Sequence, residues 1–284
     1  MNIAIIGGTS FIGHNLINYL SKKKVKIIAT YNSRKKNKNT SNIFWKKLDI
    51  RKKKKNYFKY LDSPDVVVNL AWPDIPKYKL KKHYKTFHFQ KRFNFNLVNN
   101  GLKNLIILGT CYEYGKVNGL INESHIAKPT IPYAISKLKL LNSIQNLKRK
   151  KEFKFAWLRP FFVYGNNKNR NTLYTLIKKL NQKNSTNINV CGSLIRDFLS
   201  VNFLCKTITK IIFLNKDIGI LNVSSGKGIS LRNFIIKHIK NKKDLIKVNM
   251  NAKNPNNFEP RSFWGNNYKL KKYLSGFSAI DAAN

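Results

Sequence analysis

The first half of the chain alternates short apolar runs with amphipathic stretches. Apolar runs without polar interruption predict buried strands near residues 2–6, 25–29, 43–46, 65–70, 104–109 and 154–158. Helices are expected between these strands, and the one at residues 79–101 is expected to be the longest. Strands that alternate with helices imply right-handed crossovers, so the pattern predicts an α/β fold with a doubly wound parallel sheet.

The alternation ends after Gly165. A polar loop is predicted at residues 166–170, a helix at 173–181 and a short strand at 188–191, and segments near 198–214 and 221–223 are expected to return to the domain that holds the sheet. The tail from about Val248 contains Asn-Pro and Glu-Pro breakers and predicts a loop-rich cover. We therefore expect a sheet domain over residues 1–165, with a returning segment near 198–225, and a smaller C-terminal lobe over 166–284.

A glycine-rich turn follows the first predicted strand directly. Residues 7–13 read Gly-Gly-Thr-Ser-Phe-Ile-Gly, and an amphipathic stretch continues to Leu20. Because backbone N–H groups at the start of such a helix can face a pyrophosphate, the context predicts a dinucleotide site formed by Gly7, Thr9, Ser10, Phe11, Ile12 and Gly13. The alternative is a tight turn without a ligand. Ser10 stands where a middle glycine is expected, and its side chain narrows the approach to phosphate.

Two further segments carry candidate acid–base groups. Tyr133 and Lys137 are four residues apart, which places them side by side on a helix. A phenol has a pKa of about 10, so it needs a nearby positive charge before it can exchange protons near neutral pH. Thr110 follows the strand at 104–109, at an edge where ligands bind in parallel sheets. The alternatives are a solvated helix face and a threonine that bonds its own turn.

Together and in this order, these motifs resemble the extended short-chain dehydrogenase/reductase family over nearly the whole chain. The resemblance also rests on Leu48-Asp49-Ile50, on residues 66–71, on Thr110 to Gly115, on Leu158-Arg159-Pro160 with residues 163–165, and on Arg196-Asp197-Phe198. It implies a Rossmann-type dinucleotide-binding domain, a substrate-binding C-terminal lobe and a nucleotide-sugar substrate.

The resemblance also implies residue roles. Tyr133 would be the acid/base, Lys137 would lower its pKa and hold the nicotinamide ribose, and Thr110 would bind the reacting oxygen. Arg196 would meet the phosphates of the sugar nucleotide, unless it pairs with Asp197 or another carboxylate. Asp49 would lie beside the adenine, and the remaining cofactor contacts would come from Ile50, Leu70, Ala71, Trp72 and Pro160.

Residues 69–73 and 109–115 look like a subgroup that includes nucleotide-sugar 4-reductases, among them the dTDP-6-deoxy-L-talose 4-dehydrogenases. Related dehydratases carry an Asp-Glu pair directly after the threonine, whereas this chain has Cys111 and Tyr112, which disfavours dehydration. Glu113, one residue further on, is expected to face the other way. Cys111 and Tyr112 are therefore candidate substrate-lining residues, with a buried Cys111 or a proton-carrying Cys111 as alternatives. Reduction of a 4-keto-6-deoxy sugar is favoured over a redox-neutral epimerase with bound NAD.

The end of the second strand bears on the cofactor. NAD sites usually place a carboxylate there, and residues 25–36 contain none. Arg34, supported by Lys35 or Lys36, favours NADP over NAD, although these cations also fit the general lysine excess.

Charge is the most unusual property of the composition. The chain has 55 Lys and Arg against 12 Asp and Glu, a formal net charge of +43. Such a field attracts polyanions, so a non-catalytic RNA-binding member of the fold is a third hypothesis. The lysines are scattered, which favours compositional bias over a nucleic-acid site. Three cysteines show no metal spacing, so no metal is expected. A reducing cytoplasm is expected, without a membrane span, and a homodimer stays open.

Overall fold

The computed structural model describes residues 1–33, 39–165, 172–183, 186–253 and 257–274. The strands are β1 (Asn2–Ile6), β2 (Lys26–Tyr31), β3 (Ile43–Lys47), β4 (Val66–Asn69), β5 (Asn104–Leu108), β6 (Gly119–Ile121), β7 (Lys154–Pro160), β8 (Phe162–Tyr164), β9 (Ile188–Asn189), β10 (Ile195–Arg196), β11 (Phe198–Ser200), β12 (Gly219–Val223), β13 (Ile229–Ser230), β14 (Val248–Asn249) and β15 (Ser262–Gly265). The helices are α1 (Phe11–Leu20), α2 (Tyr57–Tyr60), α3 (Lys82–Asn99), α4 (Pro132–Lys148), α5 (Leu173–Asn181), α6 (Val201–Leu214), α7 (Leu231–His238) and α8 (Tyr268–Tyr273), with 3-10 turns at Cys111–Tyr114 and Lys242–Lys247.

The central sheet has seven strands in the order β12-β7-β5-β4-β1-β2-β3. β1 pairs in parallel with β2 on one side and with β4 on the other, and β5 pairs in parallel with β4 and β7. The direction of strand order therefore reverses between β1 and β4, at the point where ligands bind in doubly wound sheets. The predicted Rossmann-type parallel sheet with flanking helices is confirmed.

The strands of this sheet are apolar because both faces are covered. Residues Ile3 to Ile6 of β1 are almost entirely buried, as are Val66 to Val68 of β4. One buried cluster joins side chains of β1, β4, β5 and β7, such as Trp157, with side chains of α3 and α4, such as Phe93. α3 is shorter than the predicted segment 79–101, but it remains the longest helix of the described chain.

The chain folds into two compact units. The first comprises residues 1–113, 127–159 and 205–221, and the second comprises the described residues of 114–126, 160–204 and 222–284. Within the second unit, β13, β10, β15 and β6 form a sheet, β8 pairs with β11, and β9 pairs with β14. The tail predicted to be loop-rich contains β14, β15 and α8 as well. The assignment of this unit to substrate binding stays a prediction.

Candidate active site

The glycine turn at residues 7–13 is tightly folded between β1 and α1. Gly7 has a φ of +86°, which favours glycine. A Cβ on Gly13 would lie 2.2 Å from the Gly7 carbonyl oxygen, so only glycine fits there. Ser10 is the N-cap of α1, and its hydroxyl accepts a hydrogen bond from the Gly13 N–H at 3.1 Å. The serine at the position of the expected middle glycine therefore stabilises the helix start.

A cavity of about 650 Å³ opens at this turn, along the carboxyl ends of β1 to β4. It is lined by the predicted cofactor residues Gly7, Thr9, Ser10, Asp49, Ile50, Leu70, Ala71 and Trp72. Tyr31, Asn32, Lys82 and Lys85 also line it, and sequence reasoning had not assigned them. A tight glycine turn, a helix start and a cavity of this size at the reversal of strand order fit a dinucleotide.

The other predicted cofactor residues have different positions. Phe11 and Ile12 begin α1, and Pro160 ends β7 as a buried residue. Arg34, together with Lys35 and Lys36, lies outside the described residues, so the argument for NADP from these cations stays a prediction.

The Asp49 carboxylate is paired at the rim of the cavity. It accepts hydrogen bonds from Arg51 Nε at 2.9 Å and from Arg51 Nη2 at 2.8 Å. This side-chain bonding is the main reason that the pKa of Asp49 lies below its usual value. Asp49 is therefore an ionised acceptor whose charge is balanced by Arg51.

Tyr133 and Lys137 lie in the first turns of α4, which starts at Pro132, and both side chains are buried. The Lys137 ammonium donates to the Leu108 carbonyl at the end of β5. It also lies 4.1 Å from the centroid of the Trp72 ring, and Trp72 lines the cavity. Trp72 thus connects the predicted catalytic pair to the glycine-turn cavity.

Aromatic rings enclose the Tyr133 phenol. The centroids of Tyr78, His83 and Trp72 lie 5.3, 5.4 and 5.8 Å from its own. Burial, with the neighbouring Tyr78 and Glu113, raises the pKa of Tyr133 well above 10, while a side-chain hydrogen bond with Thr110 lowers it. Tyr133 is therefore a neutral phenol in this structure and can donate a proton. The expected lowering of its pKa by Lys137 is not seen here, because desolvation dominates.

Desolvation also dominates at Lys137. It lowers the pKa of the ammonium from 10.5 to about 7, and the nearby Glu113 charge acts in the opposite direction. The protonation of Lys137 is therefore set near neutral pH by two opposing effects.

Thr110 both bonds its own turn and reaches the tyrosine. Its hydroxyl accepts from the Tyr112 N–H at 3.3 Å, and its side chain hydrogen-bonds Tyr133. Cys111 is buried, and the ring of Tyr112 packs 5.2 Å from that of Tyr78. The roles of Cys111 and Tyr112 toward a substrate stay predictions.

Sequence reasoning missed His83, which is fully buried beside the site. His83 Nδ1 accepts from the Trp72 indole N–H at 3.1 Å, and His83 Nε2 is 3.0 Å from the Lys77 carbonyl, to which it donates. These bonds hold the indole on which Lys137 lies. No pattern in the sequence marked His83, since its partners come from the loop before α3.

Glu113 was expected to face the other way at a strand end, but it lies in the 3-10 turn Cys111–Tyr114, and its carboxylate turns into the interior next to Thr110. It accepts from the Thr110 N–H, the Trp157 indole and Arg159, and it is fully buried. The Thr-x-x-Glu spacing of a capping box could have revealed this arrangement.

Arg196 lies in the second unit with its guanidinium buried. Nη2 donates to Glu259 at 2.8 Å, and Nη1 donates to the carbonyls of Ile195 and Arg261. The carboxylate partner is Glu259 rather than Asp197, which accepts from the N–H groups of Ser225, Gly226 and Gly265. Contact between Arg196 and a phosphate stays a prediction.

Metal clusters and membrane-spanning helices are both absent from the described part of the chain. It contains no group of three or more His, Cys, Asp or Glu side chains placed to hold a metal ion. None of its helices is both long and apolar enough to cross a membrane.

Comparison with known proteins places these features in context. The model of the NAD dependent epimerase/dehydratase family matches residues 3–223. A curated dTDP-6-deoxy-L-talose 4-dehydrogenase (NAD(+)) of Aggregatibacter actinomycetemcomitans is 25% identical over 278 residues, which cover 93% of this chain and 99% of that protein.

Solved structures share the fold over nearly the whole chain. The NAD dependent NDP-hexosamine 5,6-dehydratase TunA, involved in tunicamycin biosynthesis, has a TM-score of 0.82 at 19% identity and covers 99% of this chain and 94% of its own. MoeE5 in complex with UDP-glucuronic acid and NAD has a TM-score of 0.79 at 20% identity, and the match covers 98% of this chain and 93% of MoeE5. A UDP-N-acetylglucosamine 4-epimerase from Bacillus cereus has a TM-score of 0.78 at 19% identity, and the match covers 98% of this chain and 91% of the epimerase.

Proposed function

The chain belongs to the NAD dependent epimerase/dehydratase family, and from this premise we propose that it is an NAD(P)-dependent oxidoreductase that reduces a 4-keto-6-deoxy sugar nucleotide. The observation that carries the proposal is the position of the Tyr133 phenol. It is buried, bonded to Thr110, and joined through Trp72 to the glycine-turn cavity. The name of the curated relative, a dTDP-6-deoxy-L-talose 4-dehydrogenase, supports the choice of substrate class.

The residues around the cavity would hold the cofactor. The glycine turn and the N–H groups at the start of α1 suit a pyrophosphate, and Asp49 with Ile50 would border the adenine. When bound, a nicotinamide cofactor supplies or accepts a hydride. The family description and the name of the curated relative specify NAD, whereas the cations after β2 predict NADP. The proposal therefore includes both cofactors, and a comparison of NADH with NADPH decides between them.

The chain's own residues would manage the proton and the orientation of the sugar. The Thr110 hydroxyl would hold the carbonyl oxygen next to Tyr133, and Tyr133 would donate its proton to that oxygen as the alcohol forms. The raised pKa of Tyr133 supports this direction, because the phenol stays protonated. The enclosing rings of Trp72, Tyr78 and His83 would keep bulk water from the donor.

Two alternative reactions fit the residues less well. A dehydratase needs a further acid and base beside the tyrosine, yet Cys111 and Tyr112 occupy those positions, and Glu113 is already paired with Arg159. A redox-neutral epimerase must first remove a proton from the sugar hydroxyl, which a phenol with a raised pKa does poorly. Net reduction requires only that the phenol donate.

The test measures oxidation of NADH or NADPH with a panel of 4-keto nucleotide sugars. Tyr133→Phe should lower kcat by roughly a hundredfold or more, the range typical of a lost general acid. Tyr84→Phe is the matched control, because Tyr84 is an exposed tyrosine of the same unit, and it should keep wild-type activity. A kcat near the wild-type value in a folded Tyr133→Phe protein would contradict the assignment. A stoichiometric, slowly exchanging NAD without net consumption would favour the epimerase instead.

A further inference from the structure

We propose that Glu113 is a positioning residue of the candidate active site: it fixes the turn that presents Thr110, and its buried charge acts on Tyr133 and Lys137. This inference rests on the proposed function, since it assigns a task to a side chain that touches neither substrate nor cofactor.

The turn after β5 has the Thr-x-x-Glu spacing of a capping box, and side chains bond the backbone at both of its ends. The Thr110 hydroxyl accepts from the Tyr112 N–H, and Glu113 Oε1 accepts from the Thr110 N–H at 2.9 Å. Two backbone donors are thus satisfied by the two ends of a Thr-x-x-Glu segment. The Thr110 hydroxyl, which bonds Tyr133, is therefore held by the Tyr112 N–H. The Thr110 backbone is held by the Glu113 carboxylate.

The Glu113 carboxylate is itself held by two buried donors, Trp157 and Arg159. The Trp157 indole N–H lies 3.0 Å from both oxygens, and Arg159 Nε donates to Oε2 at 2.8 Å. Trp157, Arg159 and Glu113 are all almost fully buried. The preceding Gly109 leaves room for this arrangement, because a Cβ there would lie 2.2 Å from Trp157 Nε1 and 2.7 Å from Glu113 Oε1.

A buried ion pair at this place is costly, and apolar side chains of similar volume could fill the same space. What they could not supply is a negative charge beside the catalytic pair. Glu113 raises the pKa of Tyr133, with Tyr78 and Cys111 acting in the same direction. It also raises the pKa of Lys137 against the larger effect of desolvation, and the two effects together leave that pKa at about 7. Glu113 thus keeps the phenol protonated and the ammonium charged nearer to neutral pH.

The effect of the Glu113 charge on the pKa of Lys137 can be measured separately, because the other groups that face Lys137 are neutral. Leu108 offers a neutral carbonyl, Trp72 offers a neutral ring, and Tyr133 stays protonated. Glu113 is the charged group that acts on Lys137 among the described residues. Replacing Glu113 by glutamine keeps an oxygen for the Thr110 N–H and removes the negative charge, so the pKa of Lys137 should fall.

The experiment follows lysine titrations by NMR in the full chain, with lysine side chains labelled with carbon-13 and no cofactor or substrate added. Wild type should show a lysine signal that titrates near pH 7, and this signal should be absent from Lys137→Met. In Glu113→Gln its midpoint should move to lower pH. Asp217→Asn is the matched control, since it also removes a carboxylate from the same unit. The Asp217 carboxylate accepts from the N–H of Phe155, near the start of β7. The midpoint of the Lys137 signal in Asp217→Asn should equal that of wild type.

Glu113→Gln leaves Arg159 without its carboxylate and could fold poorly, so the double variant Glu113→Gln with Arg159→Met provides a second version without either charge. A lysine midpoint that is unchanged in a folded single or double variant would overturn the inference. With active enzyme, the limb of the kcat/KM pH profile assigned to Lys137 should move in the same direction as the NMR midpoint. Absence of turnover in wild type would refute the proposed reaction and leave the NMR result to decide the role of Glu113.

Discussion

The sharpest quantitative test of this structure is the pH dependence of stability at Lys137. The pKa of Lys137 falls from 10.5 to about 7 in the folded state because its ammonium is desolvated. Between these two values the unfolded chain binds a proton that the folded chain does not. Stability therefore increases as the pH rises through this window, and burial of the ammonium costs most at and below about pH 7.

The magnitude follows from the size of the shift. Each unit of pKa is worth about 1.4 kcal/mol, so the whole shift corresponds to a cost of roughly 5 kcal/mol at low pH. From about pH 7 to about pH 9, wild type should recover about 2 kcal/mol of this cost. Lys137→Met removes the ionisable group, so the stability difference between wild type and the variant should change by that amount over the same interval.

The assay is urea unfolding of both proteins at a series of pH values in one buffer system. Lys139→Met is the control, because Lys139 is two residues away on α4 and exposed. Its stability difference from wild type should stay constant with pH. A constant difference for Lys137→Met as well would show that Lys137 is not desolvated in the folded protein, and the protonation argument for the site would then be wrong.

Two further substitutions test the glycine turn and a buried ion pair of the second unit. Gly13→Ala should prevent the tight glycine turn, because its Cβ would lie 2.2 Å from the Gly7 carbonyl oxygen; binding of NADH and NADPH, followed by fluorescence, should be lost, and wild-type affinity would contradict this geometry. In the second unit, Glu259→Gln leaves the buried Arg196 guanidinium without its carboxylate, which should cost about 3–5 kcal/mol in urea unfolding. A change below about 1 kcal/mol would show that this pair is solvated in solution.

Much of the fold was predictable from local patterns. The strands of the central sheet lie within about two residues of the predicted ends, because uninterrupted runs such as residues 3–6 and 66–68 can be buried on both faces only in a covered parallel sheet. α5 was predicted with its observed bounds. The strands in the tail were missed, because β14 and β15 owe their pairing to distant partners rather than to their own sequence.

Part of the candidate site was also predictable. Spacing alone placed Tyr133 beside Lys137, and the order of strand, glycine turn and helix located the cavity. The protonation of this pair was not predictable in the same way. Desolvation depends on Trp72, Tyr78 and His83, which come from another segment and close around the phenol only in the folded chain.

The sequence by itself determined the sheet, the glycine turn and the place of Tyr133 beside Lys137 on one helix. These features depend on periodicity and on neighbours within a few positions, so local sequence patterns are enough to predict them. Only the tertiary structure decided that Glu113 lies under Thr110 in contact with Trp157 and Arg159, and that Arg196 pairs with Glu259. These partners are 44 to 63 positions apart, and their ionisation depends on how much water the folded chain removes from around them.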